Sequence, residues 1–170
     1  MKTVEDLLQG YRSFRKGIYS KQAALYRELG EGQNPRIMLI ACADSRAALE
    51  YAVNVLKIEH IVVMGHGGCG GIAASLAGEG TPEIGEFVTP WVRLLEAARA
   101  RVVESGSINP QFALELEGVE TSLGNLMSFP FVKRAVDAGE LELHGAWFAI
   151  KHGELHWRNP KTSRFEVIEP

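Results

Sequence analysis

Both cysteines of the chain lie in short motifs rich in other potential metal ligands and glycine. The first motif is Cys-Ala-Asp-Ser-Arg (42–46), and the second is Gly-His-Gly-Gly-Cys-Gly (65–70). Soft thiolate sulfur and borderline imidazole nitrogen select zinc over magnesium or calcium. Three protein ligands, Cys42, His66 and Cys69, would leave the fourth tetrahedral position open, as in catalytic zinc sites. These residues therefore predict a zinc centre that does chemistry.

Three further residues of the same motifs suggest what that chemistry is. Asp44 is near enough to Cys42 either to fill the fourth position, closing the site, or to accept a hydrogen bond from a water there. Arg46 can hold the Asp44 carboxylate by a two-pronged, charge-assisted contact. Gly70 opens a predicted helix, whose free amides and positive dipole end favour a bound anion. We predict that zinc activates water for attack on a small electrophile, giving an oxyanion or bicarbonate.

Two apolar runs, 36–42 and 58–64, precede the two motifs and are typical of buried strands of a parallel sheet. A helical pattern at 47–57 joins them, so the three elements predict a βαβ unit with parallel strands. Ligands at the carboxyl ends of adjacent parallel strands lie close together. The sequence thus places Cys42 at the end of one strand and His66 two residues beyond the end of the next.

The rest of the pattern predicts a single α/β domain over residues 1–170. We expect a mostly parallel central sheet with flanking helices and an antiparallel C-terminal edge hairpin. Residues 1–30 form a helical arm in this interpretation. The predicted helices are 3–16, 21–29, 70–76, 89–104, a segment around 119–127, and 131–138; the predicted hairpin strands are 141–150 and 154–158.

Composition excludes several function classes. The 170 residues are 46% hydrophobic and 23% charged with a net charge of −3, which gives no electrostatic case for nucleic acid or an anionic membrane. No apolar run has the length of a membrane span, and the acidic N-terminus lacks the order of a secretory signal. Two cysteines do not make a disulfide framework. We therefore expect a cytoplasmic protein that acts on a small molecule.

The paired motifs resemble those of the β-class carbonic anhydrases. The similarity continues through Glu-Thr-Ser-Leu-Gly-Asn-Leu (120–126), Phe-Pro-Phe-Val (129–132) and Leu-Glu-Leu-His-Gly (141–145), so it covers most of the chain. The resemblance implies reversible hydration of carbon dioxide to bicarbonate and a proton. It also implies a homodimer or larger assembly whose N-terminal helices embrace the neighbouring subunit.

The resemblance also assigns roles to individual residues. It implies that Cys42, His66 and Cys69 bind zinc and that Asp44 and Arg46 form the catalytic dyad. One departure from the family is that Arg46 runs directly into Ala47, where family members usually carry several tens of residues. That segment supplies part of the substrate pocket and of the dimer interface. Its absence would leave zinc binding intact while removing those parts.

Three alternatives remain open on the sequence. The chain could be a zinc-binding but catalytically silent homologue, or a hydrolase of the same scaffold that acts on a related electrophile such as carbon disulfide. A phosphate- or nucleotide-binding βαβ module is the third, and it predicts no zinc. Of the other histidines, His60 is expected to be solvated and His144 to be a hydrogen-bonded core residue, so neither is predicted to bind metal.

Overall fold

A four-stranded mixed sheet with helices packed around it forms the centre of the computed structural model, which describes residues 3–31, 45–77, 85–86 and 88–169. The helices are α1 (Val4–Phe14), α2 (Ala23–Glu31), α3 (Ser45–Asn54), α4 (Gly70–Ala77), α5 (Val88–Arg93), α6 (Glu96–Glu104), α7 (Pro110–Leu126) and α8 (Pro130–Asp137). The strands are β1 (His60–His66), β2 (Glu142–Ala149), β3 (Glu154–Arg158) and β4 (Phe165–Val167). A π-helical turn, Arg15–Tyr19, follows α1. No helix in the described ranges is long and apolar enough to cross a membrane.

The strands follow each other across the sheet in chain order. β1 pairs with β2 in parallel, and β2, β3 and β4 pair successively in antiparallel fashion. The parallel pair and the antiparallel C-terminal edge agree with the predicted α/β class. β4 was not predicted and extends that edge by one short strand. The predicted strand at 36–42 lies outside the described residues.

Two apolar clusters hold the helices against the sheet. In the first, Ile72 of α4 packs with Ala98 and Val102 of α6 and Leu114 of α7. In the second, Val53 of α3 and Val132 of α8 pack with Leu141, the residue directly before β2. Cys69 is half-buried against the first cluster, so this cluster supports the loop that carries a predicted zinc ligand.

The N-terminal arm is fastened to the turn between β2 and β3. Thr3 begins α1 with a capping box, in which Asp6 and Thr3 exchange side-chain and backbone hydrogen bonds. The hydroxyl of Tyr11 then donates to the carbonyl of Gly153 at 3.1 Å and accepts the N–H of Leu155 at 3.0 Å. The arm predicted over residues 1–30 therefore contacts the hairpin of its own chain.

Two of the differences from the sequence prediction lie close to the predicted site. β1 ends at His66, so this histidine belongs to the strand and does not follow it by two residues. The predicted single helix at 89–104 is divided into α5 and α6, because Leu95 leaves helical geometry with φ −95° and ψ 3°. Leu95 packs against the first apolar cluster, a tertiary contact that local sequence does not reveal.

Candidate metal centre

His66, the last residue of β1, has one ring nitrogen committed to the backbone. Its Nδ1 lies 3.2 Å from the carbonyl oxygen of Gly67. A carbonyl only accepts hydrogen bonds, so the proton is on Nδ1 and the lone pair is on Nε2. Metal-binding histidines in proteins are oriented in this way by a hydrogen bond from the other ring nitrogen. The side chain is exposed, which leaves Nε2 accessible.

The loop after His66 depends on glycine at two points. Gly68 has φ +71°, in the left-handed region that glycine adopts without steric cost. Gly65, directly before His66, faces α7 so closely that an added Cβ would lie 2.9 Å from Cγ2 of Val119. Glycine at these two positions thus allows β1 to pack closely against α7 and the chain to turn from β1 into α4.

Two residues of α7 hold the backbone of Cys69. Its N–H donates to Oε1 of Glu115 at 3.0 Å, and its carbonyl accepts Nε2 of Gln111 at 3.1 Å. The same Gln111 nitrogen also donates to Oε1 of Glu115, at 2.8 Å. Both backbone groups of Cys69 are therefore fixed by side chains one helical turn apart.

Glu115 is a carboxylate buried to 4% exposure in the described chain. Its second oxygen accepts the indole N–H of Trp147, on β2, at 3.0 Å. With Cys69, Gln111 and Trp147 donating to it, the carboxylate has the hydrogen-bond partners that a buried charge requires. It links α7, β2 and the loop before α4 into one unit.

A cavity of about 320 Å³ lies beside His66 and Cys69. Its wall is mostly apolar, with side chains from α4, α7 and the break between α5 and α6: Ile72, Leu94, Leu95 and Val119. Glu115, Thr121, Ser122 and Asn125 supply polar groups in the same wall. A small apolar cavity with few polar groups is typical of a site for a small molecule.

The structure brings together some of the predicted site residues and does not describe others. His66 and Cys69 line one cavity, and Gly70 is the first residue of α4 as predicted. Arg46 lies in the first turn of α3, which begins two residues earlier than expected, but its side chain is not described. Cys42 and Asp44 lie outside the described residues.

The sequence prediction missed Gln111 and Glu115. A signal was present, because Glu115 precedes Val119 by four residues and so shares its helix face. Val119 is buried at 3% exposure, and a carboxylate on such an apolar face needs a buried partner. His66 and Cys69 place an imidazole and a half-buried thiol on one short segment of chain, and these are ligand types that suit zinc.

The chain is similar to known carbonic anhydrases in sequence and in fold. The sequence profile of the family described as "Carbonic anhydrase" matches residues 43–155. "Beta carbonic anhydrase 3" of Arabidopsis thaliana is 31% identical over 192 aligned residues, covering 88% of this chain and 74% of the relative. A "Carbonic anhydrase" of Synechocystis is 29% identical over 213 residues, covering 98% and 78%. Both alignments extend over more positions than the 170 residues of this chain.

Solved structures give the same result. The β-carbonic anhydrase CcaA superposes with a TM-score of 0.66 at 27% identity, covering 96% of this chain and 98% of that one. A structure from work on two tetrameric β-carbonic anhydrases of Sordaria macrospora superposes with a TM-score of 0.58 at 25% identity, covering 91% and 95%. The profile match, the relatives and the shared fold establish that the chain is an enzyme of the carbonic anhydrase family, in its β class.

Proposed function

We propose that the protein catalyses the reversible hydration of carbon dioxide to bicarbonate, with zinc bound by Cys42, His66 and Cys69. The observation that carries the proposal is the arrangement of His66 and Cys69 around one cavity, with Nε2 of His66 left as a lone-pair donor. Cys42 enters on the sequence resemblance alone. When bound, zinc lowers the pKa of a coordinated water and so supplies a nucleophile near neutral pH.

The chain's own residues have separate tasks in this proposal. Asp44, held by Arg46, accepts a hydrogen bond from the attacking water and orients it. The apolar wall of the cavity, which includes Ile72 and Val119, receives the uncharged substrate. The first amides of α4, starting at Gly70, face a developing oxyanion favourably because of the helix dipole.

The junction of Arg46 with Ala47 bears on the pocket. α3 begins at Ser45, so the motif continues into a helix without an intervening segment. Relatives that align over more positions than this chain possesses contain residues with no counterpart here. We propose that the cavity beside His66 provides the substrate pocket in its place.

We further propose that the protein is a homo-oligomer. Three large apolar side chains of the N-terminal arm, Leu7, Ile18 and Leu25, are about half exposed in the single chain. We propose that these side chains are covered by a second copy of the chain, since large apolar patches are typical of interaction surfaces. Size-exclusion chromatography with light scattering should give a mass of at least two chains, and a monomer at micromolar concentration would contradict this proposal.

Stopped-flow measurement of carbon dioxide hydration by the zinc-loaded protein, at about pH 8.5, tests the activity directly. We expect a rate far above the buffer blank. Cys69→Ser and His66→Gln should lose zinc and activity, whereas His152→Gln, a change of an exposed histidine far along the chain, should retain both. Asp44→Ala should bind zinc and lose at least tenfold in rate.

Other results would support other functions. Full zinc binding without hydration would favour a silent homologue, and carbon disulfide hydrolysis without hydration would favour a different substrate. A protein that binds no zinc would contradict the metal centre and with it the proposed reaction.

A further inference from the structure

Three potential metal ligands meet at the amino-terminal ends of β1 and β2. His60 is the first residue of β1 and Glu142 is the first of β2, and the two are direct partners in the parallel register. His144 follows Glu142 by two residues, so both side chains lie on the same face of β2. The sheet pairing therefore brings together groups that are more than eighty positions apart in the sequence.

The three ligand atoms already have the spacing of a metal site. Nδ1 of His60 lies 3.1 Å from Nε2 of His144 and 3.7 Å from Oε2 of Glu142. Nε2 of His144 lies 3.5 Å from the same Oε2. A tetrahedral zinc with bonds of about 2.1 Å holds its ligand atoms about 3.4 Å apart. An ion could bind these three atoms with shifts of only a few tenths of an ångström.

The surroundings of His144 favour the neutral imidazole that a metal requires. Burial lowers the pKa of His144, His60 lowers it further, and only Glu142 raises it. The ring of Trp157 lies 5.5 Å from that of His144 and restricts its orientation. The side chain of Glu142 is 69% exposed and so leaves the group open to solvent. Two imidazoles and one carboxylate are a ligand set that suits zinc.

We propose that His60, Glu142 and His144 form a second zinc site, separate from the centre at His66 and Cys69. His60 and His66 occupy opposite ends of β1, which places the two sites about 20 Å apart along the strand. The second site has no thiolate and joins the first residues of two paired strands. Zinc bound there would fasten β1 to β2 at the end remote from the catalytic cavity.

Metal stoichiometry after dialysis against buffered zinc tests the proposal. We expect two zinc ions per chain in the unaltered protein and one in Glu142→Gln and in His144→Gln. His152→Gln, which changes a histidine outside the group, should retain two. If the unaltered protein binds one zinc and loses it on Cys69→Ser, or if Glu142→Gln matches His152→Gln, the second site does not exist.

A thermal measurement in the absence of both cysteines separates this proposal from the catalytic one. In Cys42→Ser/Cys69→Ser, zinc at a hundredfold excess over its Kd should raise Tm by about 5–10 °C, because ligand binding stabilises the folded state. Adding Glu142→Gln should abolish the rise. An unchanged Tm in the folded double variant would show that the three side chains form only a polar cluster, whatever the catalytic centre does.

Discussion

The backbone N–H of Cys69 donates a 3.0 Å hydrogen bond to Oε1 of Glu115, a carboxylate buried on α7. This contact ties the position of a proposed zinc ligand to a helix and, through Trp147, to the central sheet. The backbone of Cys69 is therefore held by side chains of the protein itself. Such support around a metal site raises affinity by reducing the ordering that binding would otherwise require.

Glu115→Gln should weaken both folding and zinc binding. The amide cannot accept hydrogen bonds at both positions, so at least one donor among Cys69, Gln111 and Trp147 is left unsatisfied. We expect a loss of about 1–3 kcal/mol in the free energy of unfolding. Zinc affinity should fall by about tenfold to a hundredfold. Urea denaturation of the apoprotein and zinc competition with a chelator measure the two effects.

The matched control for this variant is Glu117→Gln, two positions along the same helix. Glu117 forms an ion pair with Arg101 at 2.8 Å, and its side chain is 37% exposed. Solvent-exposed pairs contribute about 0–1 kcal/mol. Equal losses of zinc affinity in Glu115→Gln and Glu117→Gln would show that the buried carboxylate does not hold the loop.

Gly65→Ala tests the close approach of β1 to α7. The new Cβ would stand 2.9 Å from Cγ2 of Val119, so the Val119 side chain, the strand or the helix must shift. We expect a loss of about 1–3 kcal/mol in stability, as for overpacked cores. The double variant Gly65→Ala/Val119→Ala should lose less stability than the sum of the losses in the two single variants, because the smaller side chain makes room for the new Cβ. A double-mutant cycle with urea denaturation measures the difference.

Gly124 provides the contrasting glycine. It lies in the same helix α7 with nothing within 4 Å of an added Cβ. Gly124→Ala should therefore stabilise the protein by about 0.5–1 kcal/mol, since alanine loses less backbone freedom on folding. If Gly65→Ala stabilised the protein as much as Gly124→Ala, the contact with Val119 would be unimportant.

Stability should fall as the pH is lowered below about 6.5, measured with a chelator present. Burial lowers the pKa of His144, with a further lowering by His60, and burial also lowers the pKa of His156 against the opposing effect of Glu154. Below the unfolded pKa the unfolded chain binds more protons than the folded one, so acid favours unfolding. Above it both states are neutral and these groups contribute no pH dependence.

Urea denaturation at several pH values between about 5 and 8 measures this slope. His144→Gln and His156→Gln should each reduce the loss of stability in acid, whereas His152→Gln, at an exposed position, should not. An acid slope that is unchanged in the His144 and His156 variants would assign the pH dependence to other groups.

Tyr11→Phe should loosen the N-terminal arm. Removal of the hydroxyl leaves the N–H of Leu155 and the carbonyl of Gly153 without their partner. We expect a loss of about 1–2 kcal/mol. Limited proteolysis should cut within residues 3–31 faster than in the unaltered protein. Tyr51→Phe, at an exposed tyrosine of α3, is the control and should be cut at the original rate.

The sequence predicted best those features that depend on local signals. The capping box of Thr3 and Asp6 located the start of α1, and Gly153 located the turn between β2 and β3. The sequence also predicted correctly that a helix, α4, begins at Gly70. The proposed ligands Cys42 and Asp44 stay predictions, since they lie outside the described residues.

Features that depend on packing between distant segments could not be predicted in this way. The break at Leu95 lies in a run of good helix formers, and only its contact with the first apolar cluster accounts for it. The His60–His144 contact arises from strand pairing across 84 positions. The His60 side chain keeps 29% of its surface exposed, so it remains partly solvated as expected, but its contact with His144 was not predicted.

Trp147 lies against the loop that carries the proposed zinc ligands, so its fluorescence is of use in measuring metal binding. Its indole N–H is bound to Glu115, and its six-membered ring faces Gly67 so closely that a Cβ there would lie 3.1 Å away. The indole ring of Trp147, on the sheet, thus contacts the loop between the proposed ligands His66 and Cys69. We expect the fluorescence of Trp147 to change when metal binds, which would report metal loading without a label.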